Sequence, residues 1–216
     1  MPLDKKTLLD AVREAKTKSG EKKFTQSVEL ILDIKEIDMK SPEGKIQQVI
    51  ELPHVTGKPN KILVIATGEL AMNAKKANVD KVMEKAELEG LSGKKKELRK
   101  LANTYDVFLS EAPLMPLVGR TFGPVLGPRG KLPVPVPPTA DITVLVKKHR
   151  KTVVVRMRNQ PIIQCAIGTA DMKEEEIVDN IQAVLRMLEG KLKRGLKNIK
   201  YAFIKTSMGA PVKIKP

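Results

Sequence analysis

The sequence predicts an α+β outer domain with an antiparallel sheet, interrupted by an inserted α/β domain with a parallel, Rossmann-like sheet. Segments near both ends alternate apolar and polar residues, as strands with one solvated face do. The middle of the chain instead holds continuous apolar runs separated by helical segments, which is typical of a sheet buried on both faces. Neither end alone has enough elements for a core. We therefore predict one outer domain from residues 1–56 and 152–216, and an insertion from residues 57–151.

The first element is predicted to be an amphipathic helix over residues 4–17. Leu8, Val12 and Ala15 share one face at helical spacing, and Asp4 suits the N-cap position.

Two strands are predicted next. Residues 27–35 alternate, with Val28, Leu30 and Leu32 on the face predicted to be buried. Residues 45–52 follow a Pro- and Gly-containing break and are predicted to be the antiparallel partner of that strand.

The insertion begins with the apolar run of residues 61–66, a strand buried on both faces. A helix over 69–76, a short strand over 79–82, a basic helix over 93–103 and a strand over 105–109 follow. This order predicts a parallel α/β sheet.

Residues 119–131, and the Pro-rich residues 133–138 after them, are predicted to be a stiff, irregular loop. Each Pro fixes its φ angle and lacks an amide donor, and each Gly tolerates positive φ, which disfavours a helix or a central strand. The segment from 119 to 131 carries Arg120, Arg129 and Lys131 and no acidic residue. A rigid, cationic backbone of this kind predicts a surface shaped for phosphates.

The last part of the chain returns to alternating strands. Residues 152–158 and 162–167 flank Asn159-Gln160-Pro161 and are predicted to form a hairpin. A strand over 200–205 and a tight turn over 206–209 are predicted near the end.

Between them lies the clearest helix of the sequence. Asp171 and Glu174 are predicted to form a capping box, and Gly190 to end the helix. The apolar face consists of Ile177, Val178, Ile181, Val184, Leu185 and Leu188.

The charge balance favours a polyanionic partner. The chain has 40 Lys and Arg against 25 Asp and Glu, a net charge of +15, which points first to nucleic acid. The insertion holds 18 cationic and 9 acidic residues, and the outer domain holds 22 and 16, so both domains could contact RNA.

The single cysteine, Cys165, excludes an intrachain disulfide and is predicted to pack in the core of a protein from a reducing compartment. No segment resembles a signal peptide or a membrane span.

Catalysis has little support in the sequence. His54 and His149 lack Cys, Asp or Glu neighbours at metal-ligand spacing and are predicted to be ordinary surface histidines, so no metal and no catalytic residue is predicted. No Walker loop or G-x-G-x-x-G is present, so no cofactor is predicted. The α/β insertion nevertheless keeps one alternative open, a nucleotide-dependent RNA-modifying enzyme.

Two segments carry nucleic-acid chemistry. Lys22, Lys23 and Phe24 precede small polar residues, a combination that can stack on a base or ribose and bind phosphates. The plainer interpretation places Phe24 in the core. The turn over 206–209 offers hydroxyls and backbone amides, and its plainer interpretation is a simple connection between strands.

The chain resembles the ribosomal protein L-one family, the protein of the mobile stalk of the large ribosomal subunit. The most specific match is Gly123-Pro-Val-Leu-Gly-Pro-Arg-Gly-Lys-Leu-Pro133. Three further matches occur in order: Lys23-Phe24 with Ser27-Val-Glu29, Ala166-Ile-Gly168 before Asp179-Asn180-Ile181, and Thr206-Ser-Met-Gly209. The length, the Gly-Pro-Arg-Gly and the Pro-rich segment look archaeal-type, whereas Thr25-Gln26 stands where relatives frequently have an acidic pair.

The resemblance implies a non-enzymatic, cytoplasmic protein of the ribosome's large subunit, monomeric away from it. It implies binding to large-subunit ribosomal RNA near the exit site, help in releasing deacylated tRNA from that site, and repression of translation through the protein's own mRNA. The residues implied to bind RNA tightly, all in the outer domain, are Lys23, Phe24, Thr25, Ser27, Glu29, Gly168, Thr206, Ser207, Met208 and Gly209. The inserted domain is implied to make weaker contacts, for which Arg120, Arg129 and Lys131 are the candidates.

Overall fold

The computed structural model describes residues 4–20, 22–38, 44, 46–157 and 160–214. The chain divides into two compact units. Unit 1 comprises residues 1–59 and 151–216, and unit 2 comprises residues 60–150.

The elements follow the chain from unit 1 into unit 2 and back. Unit 1 begins with α1 (Lys5–Thr17), β1 (Ser27–Ile34) and β2 (Gln47–Glu51). Unit 2 contains β3 (Ile62–Ile65), α2 (Gly68–Lys76), β4 (Lys81–Met83), α3 (Lys85–Gly90), α4 (Lys95–Thr104), β5 (Val107–Glu111), α5 (Met115–Leu126), β6 (Val134–Val136) and α6 (Ile142–Arg150). Unit 1 resumes with β7 (Thr152–Arg156), β8 (Ile162–Thr169), α7 (Glu174–Lys191), β9 (Ile199–Thr206) and β10 (Val212–Lys213).

Unit 1 contains a four-stranded antiparallel sheet in the order β10-β9-β1-β8. The central strand β1 comes from the first segment of the unit and both of its neighbours come from the second, so the sheet needs both segments. Val28, Leu30 and Leu32 of β1 are fully buried, as their alternation predicts. They share one core with Leu8, Val12 and Ala15 of α1 and with the apolar side of α7. One face of the sheet is thereby covered by helices.

The predicted partner of β1 is wrong. Strand β2 pairs with β7, from Gln47 opposite Arg156 to Glu51 opposite Thr152. The predicted hairpin of β7 and β8 is also not observed among the described pairings, since β8 pairs with β1. Residues 158 and 159 of that turn lie outside the described residues. Strand pairing at long range depends on the assembled core, and local alternation carries no information about the partner.

Helix α7 has the predicted apolar face, because Ile177, Val178, Ile181, Val184, Leu185 and Leu188 are all buried. The predicted capping box is wrong. The N-cap residue is Lys173, and no side chain caps the helix there. Three glutamates still occupy the first turn, where they favour the positive helix end. The helix ends at Lys191, one residue beyond the predicted stop at Gly190.

Unit 2 contains a parallel sheet in the order β4-β3-β5-β6. Leu63 and Ile65 of β3 face a core formed with α3, α4 and α5, whereas Ile62 and Val64 face a second core formed with α2 and α6. Helices thus cover both faces, which explains the uninterrupted apolar run of β3 and confirms the predicted α/β class. Residues 142–150 form helix α6, in which His149 is buried and not at the surface as predicted.

The predicted irregular loop over residues 119–131 is wrong for its first part, because residues 115–126 form helix α5 with Pro124 inside it. Val118, Phe122 and Leu126 recur at intervals of four and are all fully buried. Their burial offsets the amide that Pro124 lacks and the backbone freedom of the glycines. After α5, residues 127–130 form a tight turn, and Pro135 lies in the edge strand β6, where a missing donor is tolerated.

Replacing Phe122 by alanine tests whether α5 is a packed helix. Phe122 is fully buried, and its ring centroid lies 5.7 Å from that of Phe108. We expect Phe122→Ala to lower the free energy of unfolding by about 3–5 kcal/mol in denaturant titrations. Gly119→Ala is the matched control, because a Cβ at Gly119 meets nothing within 4 Å. The control should leave stability unchanged or raise it by about 0.5–1 kcal/mol. Unchanged stability in Phe122→Ala would contradict the packed helix.

Candidate nucleic-acid interface

Three segments of unit 1 meet at one edge of its antiparallel sheet. Ser27 begins β1 and lies opposite Thr169 at the end of β8, and Val28 lies opposite Thr206 at the end of β9. The residues before β1 therefore lie beside those that follow β8 and β9. We call residues 22–27 together with residues 206–209 the RNA edge.

Direct hydrogen bonds join the two loops of the RNA edge. The Ser207 amide donates to the Ser27 carbonyl at 3.0 Å, and the Ser27 amide donates to Ser207 Oγ at 3.1 Å. The Met208 amide donates to Gln26 Oε1 at 3.1 Å. The predicted residues of the two motifs, distant in sequence, thus form one continuous surface.

Gln26 organises this surface, although its sequence neighbourhood does not single it out. Its side chain is buried, and its Nε2 donates to the carbonyls of Ser19 and Gly20, both at 3.3 Å. The backbone carbonyl of Gln26 accepts a hydrogen bond from the Ala170 amide at 2.9 Å. A glutamine supplies a donor and an acceptor at once, which a carboxylate cannot do. Gln26 therefore joins the segment before β1 both to the turn after β9 and to the end of α1.

Two large apolar side chains project from the RNA edge into solvent. Phe24 is 51% exposed and Met208 is 67% exposed. The interpretation that places Phe24 in the core is therefore wrong. Lys23 and Thr25 beside it are also exposed. Exposed apolar groups on joined loops that also carry cations are typical of a binding surface.

Three other predicted residues are buried and shape the edge from within. Thr206 is fully buried, and its Oγ1 accepts the Gly209 amide at 3.1 Å. A Cβ at Gly209 would overlap with Thr206 Oγ1, and one at Gly168 would lie 3.1 Å from Ile177 Cγ1. A side chain at position 209 would thus force Thr206 to move, and one at position 168 would be tightly packed against Ile177.

Glu29 lies on the face of the sheet opposite the helices, half-buried and beside Lys205 of β9. The pKa of the Cys165 thiol is raised to about 12, mainly by burial and to a smaller extent by the negative charge of Glu29. The thiol therefore stays protonated in the neutral range and is not a nucleophile, in keeping with its predicted place in the core.

Lys58 lies outside the two loops of the RNA edge but contacts one of them, and no sequence motif indicates it. Its Nζ donates to the Thr25 carbonyl at 2.8 Å and to Ser27 Oγ at 3.4 Å, so it adds a cation to the RNA edge. The preceding Gly57 has φ +71°, and a Cβ there would overlap with Thr169 Oγ1. This close approach directs the chain past the end of β8. The only signal in the sequence is a Gly-Lys-Pro that also suits a linker.

The solvated face of the sheet continues from Glu29 towards a pair of aromatic rings. The ring centroids of Tyr201 and Phe203 lie 6.2 Å apart, and Lys213 Nζ lies 4.0 Å from the centre of the Tyr201 ring. These residues extend the cationic and aromatic character of the RNA edge along β9 and β10.

Comparison with known proteins gives the same family as the sequence motifs, and it does so over nearly the whole chain. Residues 13–210 match the Ribosomal protein L1p/L10e family. The chain belongs to this family. It is 45% identical over 216 residues to large ribosomal subunit protein uL1 of Pyrococcus abyssi, covering 100% of this chain and 98% of the relative. It is 46% identical over 213 residues to the uL1 of Methanocaldococcus jannaschii, covering 99% and 97%. The predicted ribosomal, archaeal-type family is confirmed.

Membership of this ribosomal-protein family also confirms the prediction of a non-enzymatic protein. In an α/β sheet of this order a nucleotide would lie at the carboxyl ends of β3 and β5, where the strand order reverses. There Glu111 Oε2 accepts the Thr67 amide at 2.9 Å and Thr67 Oγ1 at 2.8 Å, just before α2. A carboxylate occupies the place of a phosphate, which argues against the alternative of a nucleotide-dependent enzyme. No group of three or more His, Cys, Asp or Glu in the described residues is arranged to hold a metal ion.

The three predicted secondary cations of this family member lie in different surroundings. Arg120, on α5, and Arg129, in the turn after it, line one cleft of unit 2. Lys131 is held elsewhere, because its Nζ donates to the Tyr105 carbonyl at 2.8 Å and to Asp106 Oδ1 at 3.2 Å. Lys131 is therefore paired with Asp106 and holds the C-terminal end of α4, and Arg129 has a partner in Asn103. None of the described helices has the length and apolar character that a membrane crossing needs.

Proposed function

We propose that this protein binds large-subunit ribosomal RNA at the mobile stalk near the exit site, through the RNA edge of unit 1. The observation that carries this proposal is the pair of exposed side chains, Phe24 and Met208, held on two loops that are hydrogen-bonded to each other. Two large apolar groups exposed on two loops that are joined to each other are typical of a binding surface on so charged a chain.

Each group at the edge has a matching group on RNA. The Phe24 ring can stack on an unpaired base or a ribose, and Met208 can pack against the same nucleotide. Ser27 and Ser207 offer hydroxyls to ribose 2′-OH groups, and Lys23 offers its ammonium to phosphates. Glu29, as an acceptor, suits a base amino group or a 2′-OH. This is recognition of a folded RNA surface by shape, with charge as a general contribution.

The internal hydrogen bonds of the edge favour tight binding. Gln26, Ser207 and Thr206 hold both loops in one arrangement before RNA arrives. A preorganised surface loses little conformational entropy on binding, so more of the interaction energy appears as affinity.

Three further roles rest on the family. We propose that the protein, placed at the stalk of the large subunit in the cytoplasm, helps deacylated tRNA to leave the exit site. We also propose that it represses translation by binding a similar RNA fold in its own mRNA, through the same edge. Unit 2 would then add weaker interactions through Arg120 and Arg129, and away from the ribosome the protein would be a monomer.

The test is equilibrium binding of the full chain to stalk RNA and to an unrelated hairpin of equal length, at the same salt concentration. We expect stalk RNA to bind roughly a hundredfold or more tightly, because generic phosphate interactions are equal in the two RNAs. Equal affinities would contradict the proposal.

The leader of the protein's own mRNA, used as a competitor, should displace stalk RNA from the edge. Failure of that competition would remove the repression role alone.

A further inference from the structure

A cavity of unit 2 that does not include the RNA edge is lined by four positively charged side chains. A cleft of about 480 Å³ lies between α4, α5 and the turns that flank them. Its charged lining consists of Lys95, Arg99, Arg120 and Arg129 and includes no carboxylate. We call these four residues and the space between them the arginine cleft.

Three of the four cations of the arginine cleft, Lys95, Arg99 and Arg120, are not neutralised by any partner among the described residues. In that part of the chain they take part in no ion pair and no side-chain hydrogen bond. Arg129 Nη1 donates to Asn103 Oδ1, an uncharged partner that orients the guanidinium. Cations gathered in a concave space repel one another, and an anion bound among them removes that repulsion.

The helix geometry adds to this field. Helix α4 begins at Lys95 on the cleft wall, and no side chain caps its N-terminus. The positive end of the helix dipole therefore acts together with the four side chains. The acidic residue of that first turn, Glu97, lines a different cavity.

The size and the floor of the cleft indicate the class of ligand. A volume of about 480 Å³ exceeds what a single phosphate needs and falls in the range of small-ligand pockets. Apolar groups of Leu98, Pro124 and Val125 lie beside the cations. This combination suits a ligand with phosphate groups at one end and a flat, less polar part at the other.

We propose that the arginine cleft is a phosphate-binding site for a ligand of nucleotide size, with Arg99 and Arg120 as its main phosphate-binding residues. The same chemistry has two sources, a free nucleoside polyphosphate and a nucleotide of an RNA chain. The site is independent of the RNA edge, and the proposal stands or falls separately from the function proposed for unit 1.

The experiment uses the full chain and three probes at one low salt concentration: inorganic tripolyphosphate, ATP and a short single-stranded RNA. Arg99→Gln with Arg120→Gln is expected to weaken probe binding at least tenfold in calorimetric titrations. Lys147→Gln with Lys148→Gln is the matched control, since it removes the same charge from exposed positions of unit 2. The control should bind like the unaltered chain. Equal weakening in both double variants, or no binding of any probe, would overturn the proposal.

A second pair of variants works without removing any cation. Pro124 is exposed on the cleft wall within α5, and replacing it restores a helical hydrogen bond, so the helix should not suffer. Pro124→Glu places a carboxylate in the cleft and should weaken binding at least tenfold, whereas Pro124→Gln should retain it. Similar binding by these two variants would overturn the proposal.

The three probes separate the two sources of phosphate. Binding of tripolyphosphate or ATP that disappears in the cleft variants identifies a site for a free phosphate ligand. Binding of RNA alone, abolished in the same variants, identifies a site for a nucleotide of an RNA chain. Phe24→Ala, which alters only the RNA edge, should leave probe binding at the cleft unchanged.

Discussion

A chain carrying both Phe24→Ala and Met208→Glu is expected to bind stalk RNA with almost no remaining specificity. Truncating a stacked aromatic ring costs about 1–3 kcal/mol, which corresponds to roughly ten- to hundredfold in affinity. A carboxylate at position 208 would face the RNA backbone and add electrostatic repulsion. We expect each single variant to weaken binding roughly ten- to hundredfold and the double variant to weaken it further, as measured by filter binding or calorimetry.

The fold provides a control for this prediction. Phe24 and Met208 are exposed, so both variants should melt like the unaltered chain. Val154→Ala removes a comparably exposed apolar group, 45% exposed on β7 of the same unit, and should bind stalk RNA normally. Phe24→Ala should also leave the slope of log affinity against log salt unchanged, because a ring releases no counterions. Unaltered affinity in the double variant would exclude these loops from the interface.

Removing unit 2 is expected to leave most of the specific affinity. The ends of that unit lie together, because Asn60 Nδ2 donates to the His149 carbonyl at 2.9 Å. A short glycine linker can therefore join Pro59 to Lys151. The buried cluster of unit 1 consists of its own residues, so the shortened chain should fold. We expect its affinity for stalk RNA to stay within roughly tenfold of the full chain, with a salt slope smaller by about 0.7–0.9 for each phosphate that unit 2 would otherwise neutralise.

The complementary chain of residues 60–150 is the control for this assignment. It should bind weakly and with similar affinity to stalk RNA and to an unrelated hairpin, because its contribution is proposed to be electrostatic. Tight, selective binding by unit 2 together with weak binding by the shortened chain would reverse the roles of the two units. Circular dichroism of both chains establishes that each is folded before affinities are compared.

Residue types drew attention to two segments of the RNA edge, and the resemblance to the family supplied the individual positions. An aromatic beside cations, at Phe24, and the hydroxyl-rich turn at residues 206–209 both suit nucleic-acid binding, although each also had a plainer structural interpretation. The supporting residues did not stand out. Gln26 and Lys58 act through hydrogen bonds to residues distant in sequence, or to backbone carbonyls, and neither leaves a local pattern. The structure gives the reason for a glycine at position 209, because a Cβ there would overlap with Thr206 Oγ1.

The sequence by itself determined the α/β periodicities, the charge and the ordered family motifs. Alternation in β1 and the apolar face of α7 depend only on which residues avoid water. Only the tertiary structure decided that residues 115–126 are helical, because burial of Val118, Phe122 and Leu126 outweighs the local preferences of Gly and Pro. It also decided that β2 pairs with β7 and that Lys131 is held by Asp106. Those outcomes depend on partners that folding brings together from elsewhere in the chain, and a residue's own sequence neighbourhood does not specify them.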